Sequence, residues 1–334
     1  MVLRASPSDL EFGINLATYG FPSFQLLLES SVKAERAGFD ALWVPDHLFL
    51  PDRIYRAVGE ESGKRDGLDA WIVLAAIATV TKRIRVGSCV TPIPLRNPAI
   101  LAKTVATVDN LSNGRVIFGA GAGWFSEEFQ RYGVEWDKFK VRVAKTIEGI
   151  TIIKKLWVES SPSYSGRFYR IIEAPLWPKP VQKPHPPIFF GGKSEAILRA
   201  TAEMGDGWIS WALSSSEFKE KISRIRDIAK SIGRDPYSIK PACCLIVSVS
   251  EDYSAARRIA EHYVTNFFGK SLDKVGDFVI YGKADDYIDG IERFIRAGAT
   301  HVAFRPMRNS NISEFISIFK KKIIPYFKGE PEEH

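Results

Sequence analysis

Short apolar runs alternate with longer amphipathic segments along most of the chain. Eight of these runs have the length of a strand and are apolar at successive positions, so both faces of each strand would be buried. Strands of this kind, when helices separate them, are typical of a parallel sheet that is covered on both sides. The predicted strands cover residues 12–18, 41–45, 84–90, 116–120, 188–191, 207–211, 242–249 and 301–304.

The segments between the strands have the apolar periodicity of helices. Gly38 is expected to end the first helix, and Pro98 suits the first turn of a later one. Eight strand–helix units favour a closed (β/α)8 TIM barrel, with an open doubly wound sheet as the alternative. We therefore predict an α/β protein with a single barrel domain over residues 1–334. The predicted helices cover 23–37, 69–80, 98–111, 141–157, 194–204, 217–232, 253–267 and 284–297, and a last one begins at 312.

Three connections are longer than usual for a compact domain. They cover residues 46–68, 160–187 and 269–282, and the second of them contains seven prolines. Long connections in compact domains are commonly lids or binding loops. We expect insertions after strands two and four and before strand eight.

Composition and charge indicate which kinds of ligand or macromolecule the protein binds. A net charge of +7 would suit nucleic acid, a membrane surface or an acidic small ligand, but Lys and Arg are spread along the chain without a basic stripe between aromatics. Three cysteines without a disulfide pattern fit a reducing cytosol. No apolar run reaches ~18 residues, and the first ten residues lack a signal-peptide pattern. We expect a cytoplasmic protein that binds a small-molecule substrate, with no nucleic acid and no membrane.

The functional residues of a parallel barrel follow the carboxyl ends of its strands. The second predicted strand ends in Asp46 and His47. A histidine can move protons near neutral pH, and a neighbouring carboxylate can orient it. The alternative is a capping Asp beside a solvated His. Cys89 follows the third strand, but no base in the sequence supports a nucleophilic thiol, and no metal-ligand spacing occurs, so we predict no metal site.

Two glycine-rich loops follow the fourth and fifth strands. The first loop lets a backbone approach a ligand closely, although a tight turn is the alternative. The second opens directly into a helix, whose N-terminal N–H groups and dipole bind phosphate, although an ordinary N-cap is the alternative. The loops consist of Gly121, Ala122, Gly123 and Trp124, and of Gly191, Gly192, Lys193 and Ser194.

Five segments, in this order, resemble the bacterial luciferase-like superfamily of flavin- and deazaflavin-dependent oxidoreductases. They are residues 34–49, 83–124, 127–134, 186–209 and 289–304, and the resemblance extends over nearly the whole chain. The Asp-His pair after the second strand is similar to that of the branch that uses the deazaflavin coenzyme F420. The resemblance implies a (β/α)8 barrel with insertions, assembled as a homodimer.

The resemblance also implies roles for particular residues. Asp46 and His47 would lie against the deazaflavin ring and the substrate, with His47 as the proton-transfer group. A non-proline cis peptide bond between Cys89 and Val90, followed by Thr91, would lie behind the ring. The loops at 121–124 and 191–194 would contact the ribityl chain and the phosphate of the cofactor.

Three functions are compatible with these residues. The favoured one is hydride transfer between coenzyme F420 and a small organic substrate. An FMN-dependent monooxygenase is the second, because such enzymes share the phosphate loop, and a catalytically silent flavin- or deazaflavin-binding protein is the third. Trp124 stands where some deazaflavin enzymes have an acid, so the substrate class stays open.

Overall fold

A closed ring of eight parallel strands forms the centre of the protein. The computed structural model describes residues 10–21, 23–59, 67–308 and 311–329. The first strand pairs with both the second and the last, with Phe12 opposite Val302, so the ring has no open edge. The predicted (β/α)8 barrel is therefore confirmed, and the open sheet is wrong. The strands are β1 (Glu11–Asn15), β2 (Ala41–Val44), β3 (Arg85–Ser88), β4 (Val116–Gly121), β5 (Ile188–Gly191), β6 (Gly207–Trp211), β7 (Lys240–Val249) and β8 (His301–Pro306).

Helices follow the strands, and capping residues mark where several of them begin or end. Ser23, Asp69 and Ser194 accept hydrogen bonds as N-caps, which explains why three helices begin one residue later than predicted. Gly38 ends the first helix in the left-handed region at φ 94°, where a side chain would be strained. The helices are α1 (Phe24–Ala37), α2 (Asp52–Ala57), α3 (Ala70–Val80), α4 (Pro98–Leu111), α5 (Ser126–Arg131), α6 (Phe139–Val158), α7 (Glu195–Met204), α8 (Ser215–Ser231), α9 (Tyr253–Phe268), α10 (Ala284–Arg296), α11 (Ile312–Ile318), a π-helical turn (Phe319–Ile323) and α12 (Ile324–Lys328).

Several short elements lie in the long connections. The structure adds α2 in the first, a hairpin of Tyr164–Ser165 with Arg170–Ile171 in the second, and a strand at Val279–Gly282 that pairs with β7 in the third. Helix α5 is a further addition, between β4 and α6. Two-residue strands and six-residue helices are too short to show a period, so the sequence pattern missed them. Residues 60–66 of the first connection lie outside the described residues.

The third strand was predicted to continue to residue 90, but β3 ends at Ser88. The peptide bond between Cys89 and Val90 is cis, as the resemblance implied. Thr91 and Pro92 then resume parallel pairing with β4. Gly119 allows the close approach here, because a Cβ at this position would lie 1.9 Å from the Ser88 carbonyl oxygen. The barrel wall is therefore interrupted at Cys89 and Val90.

The barrel interior and the strand–helix layer are separate apolar cores. Trp43, Phe189 and Cys244 belong to the interior core, whereas most apolar side chains fill the layer between strands and helices. Neighbouring Cys243 and Cys244 lie in different cores, because successive strand residues point to opposite faces. All three cysteines are free thiols.

A hydrogen-bonded network fills the amino-terminal end of the barrel. The Trp43 indole N–H donates to His301 Nε2 at 2.9 Å, and His301 Nδ1 lies 2.8 Å from Glu11 Oε2. Lys240 Nζ donates to the other Glu11 oxygen at 2.5 Å. A Cβ at Gly13 would lie 2.8 Å from both His301 and Trp43, so only glycine leaves room. The network links β1, β2, β7 and β8 where the ring closes.

Glu11 gives the stability of this end a pH dependence. Burial raises its pKa, but hydrogen bonds and attraction from His301 and Lys240 dominate and hold the pKa well below its usual range. A depressed pKa means that the stabilisation is present above the ordinary value of 4.5 and is lost as the pH falls toward the folded value. We expect Glu11→Gln to lower the free energy of unfolding by about 1–3 kcal/mol at neutral pH, and this difference should shrink below about pH 4. Urea unfolding over a pH series checks it.

Glu127→Gln is the matched control, because the Glu127 carboxylate is half exposed in a pair with Arg131 and should contribute little. A Glu11→Gln effect that is the same at every pH, or no larger than that of the control, would contradict this assignment.

Candidate functional site

A cavity of about 870 Å³ opens at the carboxyl-terminal end of the barrel. Residues from the ends of β1, β4, β5, β6 and β8, and residues following β2 and β3, line it. The end of α9 adds Phe267 and Phe268 to the wall. This is the end at which parallel barrels carry their binding sites.

Most of the predicted site residues meet in this cavity. Eleven of the thirteen line it, although they come from four separate segments of the sequence. Closure of the barrel therefore brings the two glycine loops, the cis peptide and the histidine to one place. The lining set is His47, Cys89, Val90, Gly121, Ala122, Gly123, Trp124, Gly191, Gly192, Lys193 and Ser194.

Asp46 and Thr91 lie behind the wall instead. The Asp46 carboxylate is buried and accepts two hydrogen bonds from Arg96, at 3.0 Å from Nε and 2.6 Å from Nη2. Burial raises the pKa of Asp46, and the Arg96 guanidinium opposes that rise. Thr91 Oγ1 accepts a hydrogen bond from the Trp71 indole at 3.1 Å. Asp46 is thus placed to hold the backbone next to His47.

His47 has a hydrogen-bonding partner at each ring nitrogen. Its Nδ1 lies 3.2 Å from Glu128 Oε2, and the Trp124 indole N–H donates to its Nε2 at 3.3 Å. Because Nε2 accepts from Trp124, the neutral ring carries its proton on Nδ1 and directs it at the carboxylate. Ring orientation and tautomer are therefore set by neighbours from α5 and from the loop after β4.

Glu128 completes the surroundings of His47, and no sequence motif pointed to it. Its side chain is 1% exposed, and Oε1 also accepts the Leu48 backbone N–H at 2.6 Å. The carboxylate therefore contacts both the His47 ring and the backbone that follows it. The only signal in the sequence was an acidic pair, Glu127 and Glu128, shortly after the glycines of β4. No spacing rule relates that pair to a histidine 81 residues earlier.

The Val90 side chain lies against the ends of β4 and β5. Cβ atoms built on Gly121 and Gly191 would lie 2.7 Å and 2.8 Å from its side chain. Both glycines are therefore needed for Val90 to reach the cavity wall. This arrangement presents an apolar surface, flanked by bare backbone, on which a flat ring could rest.

The loop after β5 opens into α7 as the sequence predicts. Ser194 Oγ accepts the Ile197 N–H at 3.4 Å, and Gly192 has a φ of +131°. The Trp208 indole fixes the loop by donating to the Gly192 carbonyl at 2.7 Å. Glu195 in the first turn is paired with Arg224 at 2.5 Å, so its charge is countered. The helix start retains backbone N–H groups for an anion.

The charges of the cavity lining have one sign. Arg53, Lys193 and Arg305 contribute cations, and no Asp or Glu is among the described residues that line it. Such a cavity attracts anionic ligands. Within the same described ranges, no cluster of three or more His, Cys, Asp or Glu side chains could hold a metal ion. A helix of the length and apolarity needed to cross a membrane is likewise missing from those ranges.

One curated relative matches over nearly the full length of the chain, and a second matches over part of it. The chain is 26% identical over 326 residues to an F420-dependent glucose-6-phosphate dehydrogenase of Amycolatopsis mediterranei, a match that covers 91% of this chain and 94% of that protein. It is also 29% identical over 208 residues to an FMNH(2)-dependent dimethylsulfone monooxygenase of Pseudomonas putida, covering 60% of this chain and 56% of that one.

A solved structure with the same architecture is an F420-dependent secondary alcohol dehydrogenase in complex with an F420-acetone adduct. The two chains share 27% identity and a TM-score of 0.79, over 94% of this chain and 98% of the other. The sequence pattern that defines the luciferase-like monooxygenase family matches residues 10–308. This range includes all eight strands of the barrel and every residue of the cavity described above, and we conclude that the chain belongs to the luciferase-like monooxygenase family.

Proposed function

We propose that the protein is an oxidoreductase that transfers a hydride between coenzyme F420 and a small organic substrate. The arrangement that carries this proposal is His47, held by the buried Glu128, in one cavity with the Gly191–Ser194 loop. Relatives named as F420-dependent, a glucose-6-phosphate dehydrogenase and a secondary alcohol dehydrogenase, support the cofactor assignment.

The residues of the cavity fit such a cofactor. The loop at 191–194 and the start of α7 would hold the phosphate, with Lys193 adding a positive charge. The bare backbone of Gly121 and Gly123 leaves room for the polyol chain, and Val90 with the cis peptide would support the ring. When bound, the deazaflavin would supply or accept the hydride, whereas the protein provides orientation and proton management.

His47 has the chemistry for the proton that accompanies the hydride. Its Nε2 lone pair can take the proton of a substrate hydroxyl once the Trp124 indole N–H moves aside, and Trp124 is half exposed at the mouth. The Glu128 carboxylate then stabilises the imidazolium through Nδ1–H. In the reverse direction the imidazolium returns the proton to the substrate oxygen. Asp46 acts indirectly, by fixing the end of β2 through Arg96.

FMN is the competing cofactor, because the family includes FMN-using enzymes such as the dimethylsulfone monooxygenase. Fluorescence titration of the purified protein with each cofactor tests the proposal. Tighter binding of F420 is the expected result, together with reduction of F420 by secondary alcohols or sugar phosphates, or oxidation of reduced F420 by the corresponding carbonyl compounds. Tighter binding of FMN would favour the monooxygenase. Tight binding of either cofactor without turnover would favour a silent binding protein.

The single domain over residues 1–334, the homodimer and the cytoplasmic location stay predictions that accompany this proposal. Sedimentation analysis at micromolar concentration tests the homodimer directly.

We expect His47→Ala to lower kcat by about 10²–10⁴-fold, the usual contribution of a general acid–base group. The Kd for F420 should stay within about threefold of wild type, since His47 is not part of the loop proposed to hold the phosphate of the cofactor. Single-turnover reduction and cofactor titration measure the two quantities. Unchanged turnover in this variant would overturn the assignment of His47.

Glu128→Gln tests the positioning role separately. Removing the negative charge leaves the imidazolium without a carboxylate beside Nδ1, so kcat should fall by about tenfold or more, while the Kd for F420 is unchanged. Nitrogen NMR of the imidazole should show a proton on Nδ1 in wild type at neutral pH. Glu127→Gln, one residue away and half exposed, is the control. An unchanged kcat, together with a proton on Nε2 in wild type, would contradict the proposed pair.

Lys193→Glu should weaken F420 binding at least tenfold at low salt, because it reverses a charge beside the proposed phosphate site. High salt should shrink the effect. Lys230→Glu, a reversal at the exposed end of α8, is the control and should leave the Kd within twofold. Equal effects of the two variants would place the phosphate elsewhere.

A further inference from the structure

Arg305 is a buried cation in the cavity wall, and no acidic side chain of the described residues pairs with it. It lies in β8, is 2% exposed, and lines the cavity. Its Nη2 atom has no hydrogen-bond partner within the described part of the chain, and its Nη1 atom donates to the Asn15 carbonyl at a long 3.5 Å. A buried guanidinium left in this way is costly unless something compensates it.

The neighbours of Arg305 are polar but neutral. The Tyr19 ring lies 5.3 Å from the guanidinium carbon. Burial raises the pKa of both the Tyr263 phenol and the Cys244 thiol well above their usual ranges, so neither group provides a negative charge near neutral pH. Two further buried atoms, Asn15 Oδ1 and the Tyr263 hydroxyl, also lack a hydrogen-bond partner in the described ranges. The described residues thus supply no counter-charge to Arg305.

The position of Arg305 separates it from the loops proposed to hold the cofactor. In the ring of strands, β5 stands opposite β1, and three steps separate β5 from β8. Arg305 and Asn15 therefore belong to the part of the cavity near β8 and β1, next to His47 after β2. The cis peptide and the glycine loops belong to the part near β3, β4 and β5. A substrate lying between these parts would reach both His47 and Arg305.

We propose that Arg305 binds the carboxylate of an organic monoanion, and that the substrate of this enzyme is an acid with an apolar body. The second clause rests on the proposed function, whereas the first does not. One guanidinium matches one carboxylate in charge and geometry. Leu50 and Ile54, which follow β2, and Trp211 at the end of β6 add apolar side chains to the wall, which suits an aliphatic or aromatic body.

Binding of matched carboxylate and amide pairs tests this directly. Benzoate against benzamide, and hexanoate against hexanamide, differ in charge but little in shape. Calorimetric titration of the full chain, with and without saturating F420, should give a Kd at least tenfold lower for each carboxylate. Equal affinities for acid and amide in wild type would overturn the proposal and would mean that water satisfies Arg305.

Two variants locate the preference. Arg305→Met should reduce the acid-over-amide preference to less than twofold, whereas Arg53→Met, which removes another cation of the same cavity, should keep it. If Arg305→Met does not fold, Asn15→Asp replaces it, because an internal carboxylate near the guanidinium should compete with the ligand and abolish the preference. Retention of the preference in folded Arg305→Met or folded Asn15→Asp would overturn the assignment.

The proposed cofactor chemistry is judged by a separate measurement. If F420 binds and turns over but carboxylates show no preference, this inference fails and the proposed function stands. If carboxylates are preferred but neither cofactor binds, the anion site stands and the proposed function fails.

Discussion

Parallel pairing of the last strand with the first is the constraint on which the site depends. Residues far apart in sequence, such as Asn15, His47, Gly191 and Arg305, share a cavity only because β8 hydrogen-bonds to β1 and closes the ring. The interior core around Trp43 and Phe189 fills the ring below the cavity. Buried side chains on both faces of the strands make this closed arrangement stable, since an open edge would expose apolar surface and unpaired backbone.

Two Trp–His–Glu arrangements occupy opposite ends of the barrel. In each of them an indole N–H donates to His Nε2, and a carboxylate lies beside Nδ1. At the closed end His301 is fully buried, and Lys240 also binds Glu11, so the group is locked. At the open end His47 is partly exposed, and its Trp124 partner is half exposed at the cavity mouth. The same set of residue types therefore stabilises one end, and at the other end it contains the histidine that we propose to exchange a proton.

Cations and carboxylates occupy different places around the cavity. Lys193 and the start of α7 are suited to the anionic tail of a cofactor, whereas Arg305 lies across the ring from them. Glu128 and Asp46 lie behind the wall. The Glu128 carboxylate contacts the His47 ring and accepts the Leu48 N–H, and the Asp46 carboxylate accepts hydrogen bonds from Arg96. Acidic groups thus support the site from outside, and the described residues that line the cavity are positive, neutral polar or apolar.

The sequence by itself determined the barrel, the caps and the two glycine loops, because these depend on local periodicity and on residue types with strong backbone preferences. It also indicated His47, since a histidine at the end of a barrel strand stands out in the linear pattern. Only the tertiary structure showed that Asp46 turns away toward Arg96, that Glu128 contacts His47, and that Arg305 is a buried cation without a counter-charge among the described residues. Those facts depend on which side chains meet across the ring, and strand periodicity contains no information about partners 50 to 290 residues apart.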